Sequence, residues 1–430
     1  MVVTELAKDG SMDEIQLDTN AKSLSHQCPK AIMNTDFSFD KLFSVKCLQH
    51  EASIWKLCSS LWDELDINVT ELCDLTQEQV EIIDEALRKQ KVSDWLKNAV
   101  QDDVLKSLAH EESDISRILL NLTGNRLAEA LKLALKSKSF RLATVLSQLA
   151  CPVAVKTPTG ILSPNGFPGR GGLSPQVAAD LISQVDEWKG SDMDEKYLAV
   201  WSLISGGIHH WTEAVLSPLF DWKRTFGLFL WYSQGGRISL QEAAEQYSAN
   251  LEDIVKPTSP YSTSFYDLEY HIIQLMVDSK AKLEDALNPL THTKNQLDYR
   301  VSWLIGMCLS KIKTVQQFQD VVFYEIEDDD CKIDESEPLV FGFSYTQETL
   351  LIHFISQLET IGLWKWAIFA STFLSSHNQR EGMIRRILTR SYPYEEASGS
   401  FIYSDSPSED YVFLTEKLKV PPVWIHEARV

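Results

Sequence analysis

Apolar residues recur at three- and four-residue steps along most of this 430-residue chain. The pattern is clearest between Asn125 and Ala150, where Ser137–Ser139 separates two apolar stripes. The first stripe consists of Leu127, Leu131 and Leu135, and the second of Leu142, Val145, Leu146 and Leu149. Residues at this spacing share one face of an α-helix, so the segment is predicted to form a helical hairpin. Such a hairpin cannot bury its faces alone, and we expect further helices to stack on both sides of it.

Small residues beside the two stripes are expected to let the hairpin helices approach closely. They are Ala128, Ala130, Ala134 and Ala143. The chain is also longer than the ~250–300 residues at which a single core stops growing. Several packed modules or one elongated helical solenoid are therefore expected.

The same periodicity predicts helices through the rest of the chain, and the fold class is all-α. One helix is expected from residue 51 onward, and another at 77–89 with Thr76 as its N-cap. Further helices are predicted at 176–189, 194–205, 209–217, 220–234, 239–248, 264–278, 295–312, 345–361, 363–375, 379–391 and 421–430. Alternation of apolar and polar residues is too short for a sheet, although 321–324 and 339–343 are suited to a small hairpin.

Three segments interrupt the helical pattern. Residues 1–38 are polar and aperiodic, and we interpret them as a flexible leader. Five prolines and five glycines lie between Cys151 and Pro175, which favours an exposed loop at 152–175. Lys256–Pro260 forms a second break and ends the middle block of helices.

The charge of the chain disfavours direct binding to nucleic acid or to a membrane surface. Its 40 basic and 61 acidic residues give a net charge of -21, which repels phosphates and anionic lipids. Four arginines at helical spacing form the densest basic group, and a solvated helix face is a simpler interpretation than an anion-binding patch. They are Arg380, Arg385, Arg386 and Arg390. Membrane insertion is not expected either, because the most apolar stretch, Leu363–Leu374, is short and contains Lys365.

Three short motifs contain residue types that occur in metal-binding or phosphate-binding sites. His209 and His210 are adjacent, but neighbouring positions on a helix point about 100° apart, so a capping or surface role is favoured over a metal site. Gly166–Gly172 is rich in glycine but lacks the Gly-Lys-Ser/Thr ending of a phosphate-binding loop. Asp328–Asp330 lacks the glycine and the closing glutamate of a calcium loop. The sequence therefore predicts no catalytic, cofactor-binding or metal-binding residues, and the protein is not expected to be an enzyme.

Several aromatic-rich segments resemble a known family. They include Gln357–Phe369, Arg380–Arg390 and Leu418–Ala428, and the stretches Trp55–Leu65 and Arg141–Leu149 are similar as well. Together they closely resemble the helical scaffold nucleoporin of the Y-shaped nuclear pore subcomplex. In that family the protein is the C-terminal product of an autoproteolysed precursor whose other half bears FG repeats.

The resemblance implies an ancestral coatomer element, an elongated solenoid in which the chain folds back on itself. A first trunk segment would cover 39–112, a crown would cover 113–255 with the loop 152–175 inside it, and 256–430 would return to complete the trunk. The function implied is a scaffold of the nuclear pore coat at the nuclear envelope, supporting transport of mRNA and protein.

The resemblance also implies partners. They are a related helical scaffold nucleoporin that docks crown to crown, a WD-repeat propeller nucleoporin, and other subunits of the Y-complex. The propeller normally receives a three-stranded motif, whereas residues 1–38 show no Gly- and Trp-rich strands. The sequence also ends at Val430, before the family's C-terminal tail.

We predict that the crown helices carry the docking contacts, through apolar anchors inside a polar rim. The candidate anchors are Ile115, Leu119, Leu127 and Leu131. Periodicity cannot separate such anchors from interior core residues. A vesicle-coat component of the secretory pathway and a helical-repeat adaptor that binds peptides are the alternative functions.

Overall fold

A computed structural model describes most of the chain. The described residues are 45–63, 77–150, 156–157, 160–161, 172–189, 192–207, 211, 220–252, 254–278, 281–309, 345–392 and 409–428. They fall into two compact units, one within Gln16–Ser279 and the other within Lys280–Val430. The predicted leader at 1–38, the predicted helix at 209–217 and the predicted hairpin of 321–324 with 339–343 lie outside these residues, apart from Trp211.

The first unit is built almost entirely from helices. Its helices are α1 (Val45–Trp62), α2 (Gln77–Ala109), α3 (Asp114–Leu122), α4 (Leu127–Lys136), α5 (Phe140–Ala150), α6 (Pro175–Trp188), α7 (Glu195–Ser205), α8 (Trp222–Tyr232), α9 (Leu240–Ala249) and α10 (Leu268–Val277). Two short antiparallel strand pairs accompany them, β1 (Lys156–Thr157) with β2 (Gly160–Ile161), and β3 (Thr258–Ser259) with β4 (Ser262–Tyr266). The all-α prediction is confirmed, while the fold-back solenoid and its division into trunk and crown stay predictions.

Side-chain caps define where several of these helices begin. The hydroxyl of Ser174 accepts the amide of Val177, and Pro175 occupies the first helical position, where no amide is needed. Ser239 and Glu242 satisfy each other's backbone amides in a capping box at the start of α9. Local sequence therefore sets the register with which α6 and α9 enter the core.

Helix α8 lies at the centre of this unit. Ten of its eleven residues are buried, and its aromatic rings pack edge to face against rings of other segments. Phe226 and Phe229 lie 5.5 and 5.7 Å from the ring of Tyr247 in α9. The hydroxyl of Tyr232 donates to the carbonyl of Leu122 at the end of α3, at 2.7 Å. Helix α8 thus ties α9 and α3 to a common core.

Glycines allow three backbone segments to meet at the C-terminal end of α8. Gly206 ends α7 at φ +75°, and a Cβ at that position would lie 2.4 Å from both the amide nitrogen of Gly235 and the carbonyl oxygen of Tyr232. Gly172, at φ +126°, would meet the carbonyl of Gly235 in the same way. The amide of Leu173 donates to that carbonyl at 2.8 Å. The end of the predicted 152–175 loop is therefore fixed to the core by backbone contacts.

Two predictions for this unit were wrong in detail. The helix predicted at 77–89 continues to Ala109, because Val92, Trp95 and Val104 keep a buried face beyond the charged stretch. The helix predicted at 264–278 begins only at Leu268, because Ser262–Tyr266 pairs as a strand with β3 and Asp267 caps the helix that follows. Two short strand pairs, β1–β2 and β3–β4, are also present that the sequence pattern did not predict.

The second unit is also helical. It contains α11 (Leu283–Ala286), α12 (Arg300–Leu309), α13 (Tyr345–Thr360), α14 (Trp364–Ser371), α15 (His377–Ser391), α16 (Glu409–Val412), a π-helical turn (Phe413–Lys417) and α17 (Pro422–Glu427). Its core joins α12 to α15, and the rings of Trp303 and Phe354 stack at 4.7 Å. Among the described residues of both units, none of the helices is long and apolar enough to cross a membrane.

Candidate partner-docking face

The four predicted anchors lie on two adjacent helices. Ile115 and Leu119 are on α3, and Leu127 and Leu131 are on α4, which packs against α3. Leu119 is only 7% exposed and belongs to the interior core. Ile115, Leu127 and Leu131 are half-buried, so part of each side chain is accessible.

Helix α4 buries two of its alanines more completely than its leucine stripe. Ala130 and Ala134 are fully buried and Ala143 of α5 is buried, whereas Ala128 is exposed. Helix α4 packs against both α3 and α5, and the close approach of α4 and α5 through small residues stays a prediction. Because Ala130 and Ala134 turn inward, the leucines four residues apart lie beside them and are in part exposed.

Two strongly exposed apolar residues flank the turn between α4 and α5. Leu135, in the last turn of α4, is 50% exposed, and Phe140, the first residue of α5, is 64% exposed. The spacing placed Leu135 in the stripe, but sequence reasoning missed Phe140 because it belongs to no stripe. Apolar side chains this exposed have a cost in water that a covering partner removes.

Backbone hydrogen bonds fix the turn that carries these two residues. The amide of Ser139 donates to the carbonyl of Ala134 at 2.9 Å, and the amide of Lys138 donates to the carbonyl of Leu135 at 3.1 Å. Lys138 adopts φ +59°, the left-handed conformation that closes a helix. Leu135 and Phe140 are therefore held at one end of the hairpin.

Charged groups surround the apolar residues of α4. The ammonium group of Lys132 lies 2.7 Å from Glu129, and that of Lys136 lies 3.9 Å from Asp114 of α3. All four side chains are well exposed. Apolar residues within a polar rim are the usual composition of a protein–protein interface. We call Leu127, Leu131, Leu135 and Phe140 the docking face.

A buried charge cluster in the same unit provides the nearest approach to a metal site. Donor atoms of His50, Asp267 and Glu269 lie within 4.8 Å of one another. The ammonium group of Lys223 contacts Glu269, however, and the ring of His50 lies 3.3 Å from Asp267. Two cations thus balance two carboxylates, and a divalent ion would have to displace an ammonium group that is already well placed.

Burial opposes the charged forms of His50 and Glu269, but the neighbouring groups of opposite charge outweigh it. Burial alone would lower the pKa of His50, but hydrogen bonds to Asp267 and Glu269 outweigh it and raise that pKa to about 10. Burial would raise the pKa of Glu269, but the charge of Lys223 and the hydrogen bond from His50 lower it to about 2. His50 and Glu269 are therefore both charged near neutral pH, and the cluster links α1, α8 and α10 as a structural element.

Asp267 joins the cluster to the local structure. One of its carboxylate oxygens accepts the amide of Glu269 at the start of α10, at 3.1 Å. The other accepts the indole N–H of Trp222 in α8, also at 3.1 Å. Sequence reasoning missed this cluster because its members are separated by up to 219 residues and belong to no motif.

The arginine group of the second unit is paired within the chain. Arg386 lies 3.3 Å from Glu359, and Arg385 lies 2.8 Å from Glu381 and 2.7 Å from Glu427. Because these carboxylates pair with Arg385 and Arg386, the positive charge of α15 that could attract an anion is reduced. Of the other weighed motifs, His209–His210 and Asp328–Asp330 lie outside the described residues, as does Gly166–Gly172 apart from Gly172.

The chain is similar in sequence to one protein family and to several known proteins. The family model described as nuclear protein 96, Nup96, matches residues 116–430. The chain is 26% identical to the nuclear pore complex protein Nup98-Nup96 of Drosophila melanogaster, over 96% of this chain and 19% of the relative. It is 24% identical to nucleoporin nup189 of Schizosaccharomyces pombe, over 88% of this chain and 20% of the relative. It is 25% identical to Nup98-Nup96 of Dictyostelium discoideum, over 87% of this chain and 17% of the relative.

The chain thus spans about a fifth of the length of these curated relatives. The matched region nevertheless covers most of the chain itself, from α3 through α17. The chain belongs to the Nup96 family of nuclear pore proteins.

Proposed function

We propose that this protein is a structural scaffold subunit of the nuclear pore coat, the Y-complex, and that it is not an enzyme. It binds a related helical scaffold nucleoporin through the docking face, in the region that the resemblance assigns to the crown. Through that contact and others it supports transport of mRNA and protein across the nuclear envelope. Other Y-complex subunits, including a WD-repeat propeller, are its further expected partners.

The observation that carries this proposal is the exposure of Leu135 and Phe140 on either side of one well-ordered turn. Both lie on a hairpin whose inner side is closed by alanines, so the docking face does not need to move to become accessible. A partner helix that covers them would bury apolar surface worth about 25 cal/mol per Å². Family membership supports a nuclear pore protein as that partner.

The charge of the chain supports a protein partner over a nucleic acid. With a net charge of -21, the surface disfavours direct contact with phosphates, and the arginines of α15 are paired with carboxylates. The burial of Ala130 and Ala134 in α4 leaves Leu127, Leu131 and Leu135 in part exposed for a partner. Helical docking of this kind takes its energy from a few buried anchors.

Affinity purification tests the proposal. The wild-type chain is expected to recover helical scaffold nucleoporins in fixed stoichiometry, and the double variant L135S/F140S is expected to lose the crown partner while remaining folded. The matched control is Leu297→Ser, which removes an apolar side chain that is 69% exposed in the other unit. Recovery of vesicle-coat subunits in place of nucleoporins, or full binding by the double variant, would overturn the proposal.

A further inference from the structure

Arg141 follows the exposed Phe140 directly and holds α5 to two other helices. Its guanidinium carbon lies 5.5 Å from the ring centroid of Trp188 in α6 and 5.3 Å from that of Trp201 in α7. The guanidinium group also donates to the side-chain oxygen of Gln184 in α6. Three side chains from two helices therefore converge on one arginine at the first turn of α5.

The two indoles form a fixed platform. Their ring centroids are 5.8 Å apart at 72°, and the ring of Tyr197 packs edge to face against Trp201 at 6.2 Å. Trp201 is completely buried, and α7 packs against α3, α6 and α8. Trp201 therefore belongs to the core of the unit, Trp188 is half-buried beside it, and Arg141 itself is exposed.

The hairpin needs such an attachment at its turn. Helix α5 packs mainly against α4, and α4 packs against α3 and α5. Leu135 and Phe140 flank the turn of this hairpin, and the contacts of Arg141 with α6 and α7 restrain the first turn of α5, where Phe140 lies. A cation close to aromatic rings is attracted to them, and a guanidinium group has enough N–H donors to bind Gln184 at the same time.

We propose that Arg141 is a positioning residue for the docking face: by binding the platform of Trp188 and Trp201, it holds Phe140 in the orientation that a partner meets. The inference rests on the proposed docking function and adds a residue that need not touch the partner. A docking face that is already ordered in the free chain loses less conformational entropy on binding. The contact of Arg141 with Trp188 and Trp201 therefore contributes to affinity without adding contact area.

A double-mutant cycle on binding tests this assignment, with a recombinant helical scaffold nucleoporin of the same pore complex as the probe. Arg141→Ala is expected to weaken binding about three- to tenfold. In a chain that already carries Phe140→Ala, the same change is expected to have almost no effect, because there is no ring left to position. Arg141→Lys is expected to behave like Arg141→Ala, since it keeps the charge but lacks the guanidinium donors that bind Gln184 while the group contacts both rings. Lys256→Ala, which removes an exposed cation of the same unit outside the α4–α5 hairpin, is the matched control and is expected to bind as wild type.

Equal losses for Arg141→Ala in the two backgrounds would show direct or non-specific action and overturn the assignment. Full recovery by Arg141→Lys would also overturn it, because charge alone would then suffice. Hydrogen exchange of the free chain provides a readout that needs no partner: Arg141→Ala is expected to accelerate exchange in the turn between α4 and α5. Unchanged exchange in that turn would refute the positioning role of Arg141 even if the docking face binds the partner. Accelerated exchange with no effect of Phe140→Ala on binding would instead refute the proposed docking function, and the positioning role with it.

Discussion

Replacing Gly206 by alanine is the sharpest test of how the first unit is packed. The residue has φ +75°, a conformation that costs a side-chain-bearing residue about 1–2 kcal/mol. Its new Cβ would lie 2.4 Å from two backbone atoms, the amide nitrogen of Gly235 and the carbonyl oxygen of Tyr232. Backbone atoms cannot rotate away as a side chain can, so the ends of α7 and α8 would have to separate.

The expected cost adds these two effects. Overpacking of a filled site typically costs about 1–3 kcal/mol, so Gly206→Ala is expected to destabilise the first unit by about 2–5 kcal/mol in total. For a unit of this size each kcal/mol shifts the melting temperature by about 2–4 °C. The change should therefore lower the melting temperature of that unit by about 5 °C or more.

Differential scanning calorimetry is the assay, since it separates transitions of different units. The control is Gly382→Ala in α15, where no atom lies within 4 Å of the new Cβ and the backbone is helical. Alanine is favoured over glycine in a helix by about 0.5–1 kcal/mol, so this variant is expected to be slightly more stable than wild type. A melting temperature for Gly206→Ala equal to that of wild type would refute the close backbone contact at the end of α8.

Three further predictions concern buried charges. The pKa of His50 is raised from 6.5 to about 10. Its contribution to the free energy of unfolding is therefore complete below pH 6.5 and is lost as the pH rises toward 10, by about 1.4 kcal/mol per pH unit at most. The stability difference between wild type and His50→Phe, measured by urea unfolding, should shrink between pH 6.5 and pH 10. The pKa of Glu269 is lowered from 4.5 to about 2, so its contribution is lost as the pH falls from 4.5 toward 2; a pH-independent difference between wild type and Glu269→Gln would contradict this. Arg224 is 1% exposed and donates to Thr123 at 2.6 Å, so Arg224→Met is expected to lower the free energy of unfolding by about 1–3 kcal/mol. Asp103→Asn is expected to lower it by under about 1 kcal/mol, because the Asp103 side chain is 50% exposed. Equal melting temperatures for these two variants would contradict the burial argument.

Most of the helices could be predicted from local pattern. The segments 176–189, 194–205 and 239–248 agree with α6, α7 and α9 to within one residue at each end, because caps and breaks are encoded beside them. Helix α2 was underestimated, since the charged stretch after Leu87 obscures a face that Val92, Trp95 and Val104 continue. The strand pair at 258–266 was missed because two prolines were interpreted only as a break, whereas Pro257 precedes β3 and Pro260 lies in the turn between β3 and β4.

The docking face shows what periodicity can and cannot supply. The four-residue spacing of Leu127, Leu131 and Leu135 indicates a shared side of a helix, but it does not indicate whether that side faces inward. Here the inward side is the one with Ala130 and Ala134, which only three-dimensional packing reveals. The same limit explains why the contact of Arg141 with Trp188 and Trp201 was not predicted, since the partners lie 47 and 60 residues away in sequence.

The role of the buried charge cluster could not be derived from sequence for a similar reason. His50 and Asp267 each belong to a different segment, and neither forms part of a ligand motif. Their contact exists because the chain returns from β4 to α10 beside α1. Long-range ionic contacts of this kind depend on topology, whereas the cap that Asp267 forms on α10 depends on local sequence.

The central claim is that the turn between α4 and α5 is the place where a helical nucleoporin docks. Hydrogen–deuterium exchange of the chain, alone and in complex with that nucleoporin, tests the location directly. The account predicts that protection on binding is strongest from Leu127 through Arg141 and weak on α8, which is already buried in the free chain. Protection confined to other segments, with exchange between Leu127 and Arg141 unchanged, would contradict it.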